Sequence, residues 1–89
     1  HARETAYVAV HVFEGMPFEA PFREVEAVLR GWGGRPHWGK RSFLAAEELA
    51  PLYPRWAGFA AVRERLDPGG RFVNPWIART LGASERIAA

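Results

Sequence analysis

The spacing of apolar and polar positions divides the chain into one short extended run and a series of amphipathic helices. Residues 5–13 alternate, with Ala6, Val8, Val10 and Val12 pointing one way and Thr5, Tyr7, Ala9, His11 and Phe13 the other. That is the two-residue period of a strand, with the valine side as its packing side. Gly15-Met16-Pro17 ends the run. A helix then fits from about residue 18 or 21 to residue 30, where Phe22, Val25, Val28, Leu29 and Trp32 fall at spacings of three and four and form one stripe. Pro21 suits its first turn, and Gly31, Gly33 and Gly34 terminate it. Glu19, Glu24 and Glu26 toward its start and Arg30 at its end agree with the helix dipole, and the three carboxylates read as a solvated face.

Further along, residues 44–49 predict a short helix that ends or kinks near Pro51. Pro54 opens another, running to Leu66 with Trp56, Phe59, Val62 and Leu66 as its buried stripe. Asp67-Pro68-Gly69-Gly70 is a turn signal. Asn74 caps a last helix with Pro75 in its first position, anchored by Trp76, Ile77 and Leu81 and ended by Gly82. Residues 83–89 carry no packing stripe and read as a mobile tail.

These elements define an α+β class, one main β-strand followed by three or four short helices. A single strand cannot satisfy its own backbone donors and acceptors. Its partner must come from residues 35–43, from another chain, or from strands upstream. The last is the most economical, and the absence of Met at position 1 agrees with it, so the chain reads as a C-terminal fragment. No internal repeat is visible.

Apolar residues make up 48% of the 89 and four are Trp, which argues against disorder. The formal charge is +2, with acids and bases interspersed, so a mixed solvated surface is expected rather than a polyanion-binding tail. There is no cysteine, which removes disulfides, thiolate nucleophiles and Cys-based metal sites. No apolar run approaches a membrane span and no signal peptide is visible, so the expectation is a soluble, cytoplasmic protein.

The chemistry concentrates in Gly33-Gly34-Arg35-Pro36-His37-Trp38-Gly39-Lys40. Eleven of the twelve Lys and Arg residues are Arg, which leaves Lys40 as the sole lysine. Pro36 holds Arg35 extended, and the flanking glycines allow sharp changes of direction, so the segment is a shaped connector that displays an imidazole, an indole and an ammonium. Lys40 can place a compact charge where negative charge develops, donate to a substrate oxygen or, if tuned by burial, accept a proton. His1, His11 and His37 are scattered, with no acid at a ligand-like spacing, which speaks against a metal site. Ser42 and Ser84 lack a nucleophile motif, and no glycine-rich phosphate loop is present. Taken alone, His11 reads as a hydrogen-bonded histidine on a sheet. Two other readings stay open on residue types alone. One is a small basic module in which Arg35, Lys40 and Arg41 meet nucleic-acid phosphates while Trp32, Trp38 or His37 stack on bases. The other is a structural piece that self-associates through its strand edge and apolar helix faces.

The phrase Gly34-Arg35-Pro36-His37-Trp38-Gly39-Lys40, followed by Tyr53-Pro54-Arg55-Trp56 and by Val62-Arg63-Glu64-Arg65-Leu66-Asp67-Pro68-Gly69-Gly70-Arg71-Phe72, resembles the C-terminal end of the FAD-linked sugar oxidases. These are the D-arabinono-1,4-lactone and L-gulono-1,4-lactone oxidases and dehydrogenases, with the related alditol (xylitol) oxidases. The likeness runs from about Tyr7 to Gly82. It implies a two-domain flavoenzyme of the vanillyl-alcohol-oxidase type. Residues 1–41 would end the substrate (cap) domain and carry the His-Trp-Gly-Lys loop, and residues 42–82 would form helices against the upstream FAD-binding domain. The implied reaction moves a hydride from a sugar C–H to flavin, which oxygen or another acceptor reoxidises. Lys40 matches the motif lysine beside flavin and substrate oxygens, where its charge favours the anionic reduced flavin or an alkoxide. His37 matches the motif histidine that orients this loop at the cofactor. His11 matches a strand histidine facing substrate in the alditol oxidases. Phe13 departs from the small hydroxyl residue those enzymes carry, which tilts the expected substrate toward a lactone or another sugar. The glutamate and arginine that they bring to the substrate from upstream have no counterpart here, so the chain alone is expected to be inactive.

Overall fold

The computed structural model describes residues 3–83. Its elements are α1 (Glu19–Gly31), α2 (Ala46–Leu49) continued by a 3₁₀ turn (Ala50–Leu52), α3 (Trp56–Leu66) and α4 (Pro75–Leu81). Helix α1 starts without a side-chain cap, and the Phe18 ring packs 5.7 Å from that of Phe22, one turn on. Pro21 lies in the first turn, where a missing N–H costs no helical hydrogen bond. The helix ends in a Schellman motif. Gly33, at φ +75°, donates to Arg30 O at 2.9 Å, and Gly34 donates to Leu29 O at 2.8 Å. A Cβ on Gly34 would sit 2.7 Å from that same carbonyl oxygen, so the chain passes here because no side chain intervenes.

The predicted helices recur with shifted starts. Ala45 is the N-cap of α2, and the Glu48 carboxylate reaches back to accept its N–H at 3.2 Å. Pro51 sits in the 3₁₀ turn, where the α-helical ladder has stopped. Residues 54–55 form a turn closed by Trp56 N–H on Tyr53 O at 3.1 Å, so α3 begins two residues after Pro54. Helix α4 follows the local signals closely: the Asn74 side chain accepts from Ile77 N–H at 2.8 Å, Pro75 opens the helix, and Gly82 closes it at φ +68°.

The α+β expectation is overturned: among the described residues there is no strand and no sheet, and the fold is helical. Residues 5–13 keep part of their alternation, since Val10 and Val12 are each 39% exposed against 88% for Tyr7 and 86% for Phe13. They form no ladder. The segment suggested as a second strand, residues 35–43, spends its donors elsewhere. Lys40 N–H closes a turn on His37 O, and Phe43 N–H goes to the Glu26 carboxylate. Without a partner for its backbone, residues 5–13 cannot be a strand, whatever their side-chain period.

The fully buried apolar core is small. Leu44 and Leu49 are buried, with Thr80 beside them returning its hydroxyl to Trp76 O at 2.8 Å. Helix α4 closes against α2 so tightly that a Cβ on Gly82 would lie 3.3 Å from Ala46 Cβ. The stripe expected on α3 is largely open, with Phe59 57%, Val62 46% and Leu66 72% exposed, while Arg63 is half-buried and donates to Leu81 O at 3.3 Å. Val28 and Trp32, predicted for the α1 stripe, are exposed as well. The radius of gyration is 15.4 Å, against about 12 Å for a compact domain of this length. The accessible surface is 7519 Å², where a compact protein of this mass exposes about 5,200 Å². The chain folds as a plate of 43 × 36 × 17 Å with large apolar faces uncovered.

Gly34→Ala should destabilise the protein by about 1–3 kcal/mol, because the added methyl meets backbone that cannot step aside. Gly33→Ala, strained in φ but with open space around it, should cost about 1 kcal/mol. Thermal or urea unfolding of the two variants reads the difference, and equal losses would remove the close approach as its cause.

Candidate functional site

The Schellman turn reverses the chain at Gly34 and sends residues 35–40 back beside α1. Arg35 lays its guanidinium over the Tyr53 ring, 4.6 Å from the centroid. Trp38 sits in an aromatic cluster, with centroids 5.6 Å from Tyr53, 6.5 Å from Trp56 and 6.2 Å from Trp76. Such pairs add about 0.5–1.5 kcal/mol each beyond area burial, and three of them hold one indole. His37 and Lys40 close a turn through Lys40 N–H on His37 O at 3.1 Å. Within it, Gly39 N–H donates to His37 Nδ1 at 2.9 Å, which fixes the ring and leaves Nε2 to donate. A Cβ on Gly39 would lie 3.1 Å from His37 Cε1, so the glycine makes room for the imidazole.

Past Lys40 the chain is gripped from two sides. The Glu26 carboxylate of α1 accepts Ser42 Oγ–H at 2.8 Å and Phe43 N–H at 3.2 and 3.1 Å to its two oxygens. Ser42 Oγ in turn accepts Leu44 N–H at 3.2 Å. From α4, Arg79 donates to Ser42 O at 3.4 Å and Leu44 O at 3.5 Å. Arg41 lies 4.1 Å over Phe18, and Arg23 4.0 Å over Phe43. The Arg30–Glu48 ion pair at 2.7 Å ties α1 to α2, but with side chains 46% and 30% exposed it adds about 0–1 kcal/mol. The grip of the half-buried Glu26 carboxylate on two donors, one of them shared between its two oxygens, is the firmer tie.

Two cavities flank residues 35–40. One, of about 470 Å³, is lined by His11, His37, Lys40, Arg35, Arg41 and Glu26, with apolar residues of α1 and residues 8–10 completing it. The other, about 760 Å³, is walled by Trp38, Tyr53, Trp56, Phe59 and Leu81, with Arg35 at its edge. The loop is the partition: His37 and Lys40 line the polar side, Trp38 the aromatic side. All three histidine and lysine residues singled out in the sequence within the described region, His11, His37 and Lys40, therefore meet at one cavity. Each is exposed. Phe13 is also exposed and does not line that cavity. No hydrogen bond or ion pair of the Lys40 ammonium occurs among the described residues. No cluster of three metal-ligating side chains occurs among them either, and no helix there is long and apolar enough to cross a membrane. The tail read for residues 83–89 lies, from Ser84 on, outside the described residues.

Sequence reading missed Glu26 and Arg79. Glu26 was assigned to a solvated face, yet it follows Phe22 by four residues and precedes Leu29 by three, on the border of the apolar stripe. That position was the available signal. Nothing local marked Arg79, whose partners are more than thirty residues away.

A cavity edged by donors and cations suits an oxygen-rich ligand or developing negative charge, and the matching relatives are oxidoreductases. The chain belongs to the D-arabinono-1,4-lactone oxidase family, whose model matches residues 1–80. An L-gulono-1,4-lactone dehydrogenase of Mycobacterium tuberculosis is 50% identical over 82 residues, covering 92% of this chain and 19% of that protein. An alditol oxidase of a Streptomyces species is 39% identical over 84 residues, 91% of this chain and 20% of the relative. The L-gulonolactone oxidase of Bos taurus is 28% identical over 83 residues, with 89% and 19% covered. The chain thus spans about a fifth of the length of these relatives. No solved structure matches it.

In the neutral imidazole of His37 the proton belongs on Nε2, because Nδ1 receives the Gly39 amide. Long-range ¹H–¹⁵N correlation of histidine-labelled protein should show an unprotonated Nδ1, with both ring nitrogens shifted in Gly39→Ala. A protonated Nδ1 in the unmodified protein would contradict this turn.

Proposed function

We propose that the chain is the C-terminal part of an FAD-dependent oxidoreductase that oxidises a CH–OH group of a sugar-1,4-lactone by hydride transfer to flavin, with Lys40 as its catalytic residue. The observation that supports the reading is the common cavity of His11, His37 and Lys40. A lactone is preferred over an alditol because the family match is to lactone oxidases and the lactone dehydrogenase relative is 50% identical against 39% for the alditol oxidase. Residues 1–41 would close the substrate side and residues 42–82 would lie against the FAD-binding domain, covering the apolar faces that the plate leaves open.

The residues fit one edge of such a cofactor and not its whole length. A cavity of about 470 Å³ takes a sugar lactone or part of a ring system, with Lys40 and Arg35 supplying positive charge and His37 Nε2–H a donor. The sequence holds no glycine-rich phosphate loop of the kind that cradles a pyrophosphate. When bound, the flavin supplies the two-electron hydride acceptor. Lys40 then holds its ammonium where negative charge builds on the reacting oxygen or on the acceptor, a contribution made mainly in the transition state. His37 donates through Nε2 and keeps the turn that presents Lys40. His11 borders the same cavity and contacts a substrate hydroxyl. Glu26 is a poor candidate for taking the hydroxyl proton, since both of its oxygens are already engaged by Ser42 Oγ–H and Phe43 N–H.

In the parent flavoprotein, Lys40→Met should slow anaerobic bleaching of the flavin by L-gulono-1,4-lactone by about 10²–10³-fold, the loss typical of one oxyanion-stabilising donor, with flavin content retained. Unchanged bleaching in stopped-flow absorbance would end the role given to Lys40. The 89-residue chain by itself should purify colourless and without turnover; a yellow, active preparation would show that it carries more of the site than proposed.

A further inference from the structure

We infer that Glu26 is the positioning residue for Lys40, through a carboxylate–hydroxyl–amide network that fixes residues 42–44 against α1. This rests on the role proposed for Lys40. The ammonium of Lys40 has no partner among the described residues, so its location depends on the backbone that carries it. On one side that backbone is set by the His37–Lys40 turn. On the other, beyond the Arg41 side chain stacked on Phe18, the first residues held by hydrogen bonds are Ser42 and Phe43, and both donate to Glu26.

The network suits an ionised carboxylate, which only accepts. Oε2 takes Ser42 Oγ–H at 2.8 Å and shares Phe43 N–H, at 3.1 Å, with Oε1 at 3.2 Å. Because its proton goes to Glu26, the Ser42 oxygen is available for Leu44 N–H at 3.2 Å, and Leu44 is one of the two buried apolar residues among those described. A glutamate on a helix is thus coupled through one serine to the core, two residues past the lysine. Arg79 meets the same segment only at 3.4 and 3.5 Å, so the carboxylate is the shorter and stronger hold. An amide in place of the carboxylate keeps the shape but offers one accepting oxygen and an NH₂ that faces donors. The segment would then relax, and displacement of a catalytic group by about 1 Å can cost on the order of a hundredfold in rate.

The test uses the parent flavoprotein, with L-gulono-1,4-lactone as reductant and anaerobic flavin bleaching as readout. Glu26→Gln should slow bleaching ten- to a hundredfold with flavin content kept and KM changed by less than threefold. Ser42→Ala, which leaves the Phe43 bonds, should slow it less. The deciding measurement is the double variant. If Glu26 acts through Lys40, Glu26→Gln adds nothing to the loss already caused by Lys40→Met. If it merely supports the fold, the two losses multiply, and the inference falls. It falls too if Glu26→Gln bleaches at the unmodified rate while Lys40→Met is slow. If Lys40→Met itself is unchanged, the proposed function fails first, so the two failures are distinct. Should Glu26→Gln not fold, Ser42→Ala in the same cycle with Lys40→Met gives the same decision.

Discussion

The hydrogen bond from Gly34 N–H to Leu29 O directs everything that follows it. It reverses the chain at the end of α1 within two residues, and it can form only where position 34 has no side chain to hold the backbones apart. A helix that frayed or ran on by a turn would carry residues 35–40 away from α1. Glu26 would then face water, Arg41 would leave Phe18, and the polar cavity would lose the wall that His37 and Lys40 provide. One local backbone closure thereby brings together groups from residues 8–11, α1 and the loop.

Around that loop, arginine and lysine do different work. Arg23, Arg35 and Arg41 lie flat on aromatic rings, which a planar, weakly hydrated guanidinium tolerates at little desolvation cost. Their charge remains while their position is fixed. Lysine is a compact and strongly hydrated charge, poorly matched to stacking, and the sole lysine is the one cation of the loop without such a seat. The arginines frame the cavity, and the ammonium is left to meet whatever enters it.

Local signals carried the last helix almost whole into the sequence: Asn74, Pro75 and Gly82 each act on the backbone within four residues, so their meaning does not depend on the rest of the chain. The terminating glycines of α1 and the Asp67 turn, in which the carboxylate accepts Arg71 and Phe72 N–H, are readable for the same reason. The strand was misjudged because pairing is a non-local property: residues 5–13 have the side-chain period of a strand but no partner for their backbone. The α3 stripe has helical period, yet periodicity says which residues share a face and not whether anything covers it. For the candidate site, His11, His37 and Lys40 were visible as residues, and their shared cavity was not, since it depends on how α1 turns back. Glu26 escaped because a carboxylate beside an apolar stripe reads as solvated until its acceptors are seen to be used.

The solitary lysine has a practical side. Because the other eleven cations are guanidinium groups, Lys40 carries the one side-chain primary amine that this stretch of polypeptide offers to acylating or reductively alkylating reagents. Its exposure leaves it open to them. A reporter, an isotope-enriched methyl or a crosslinker attached by amine chemistry would therefore mark the cavity within this segment without any change to its genetically encoded sequence.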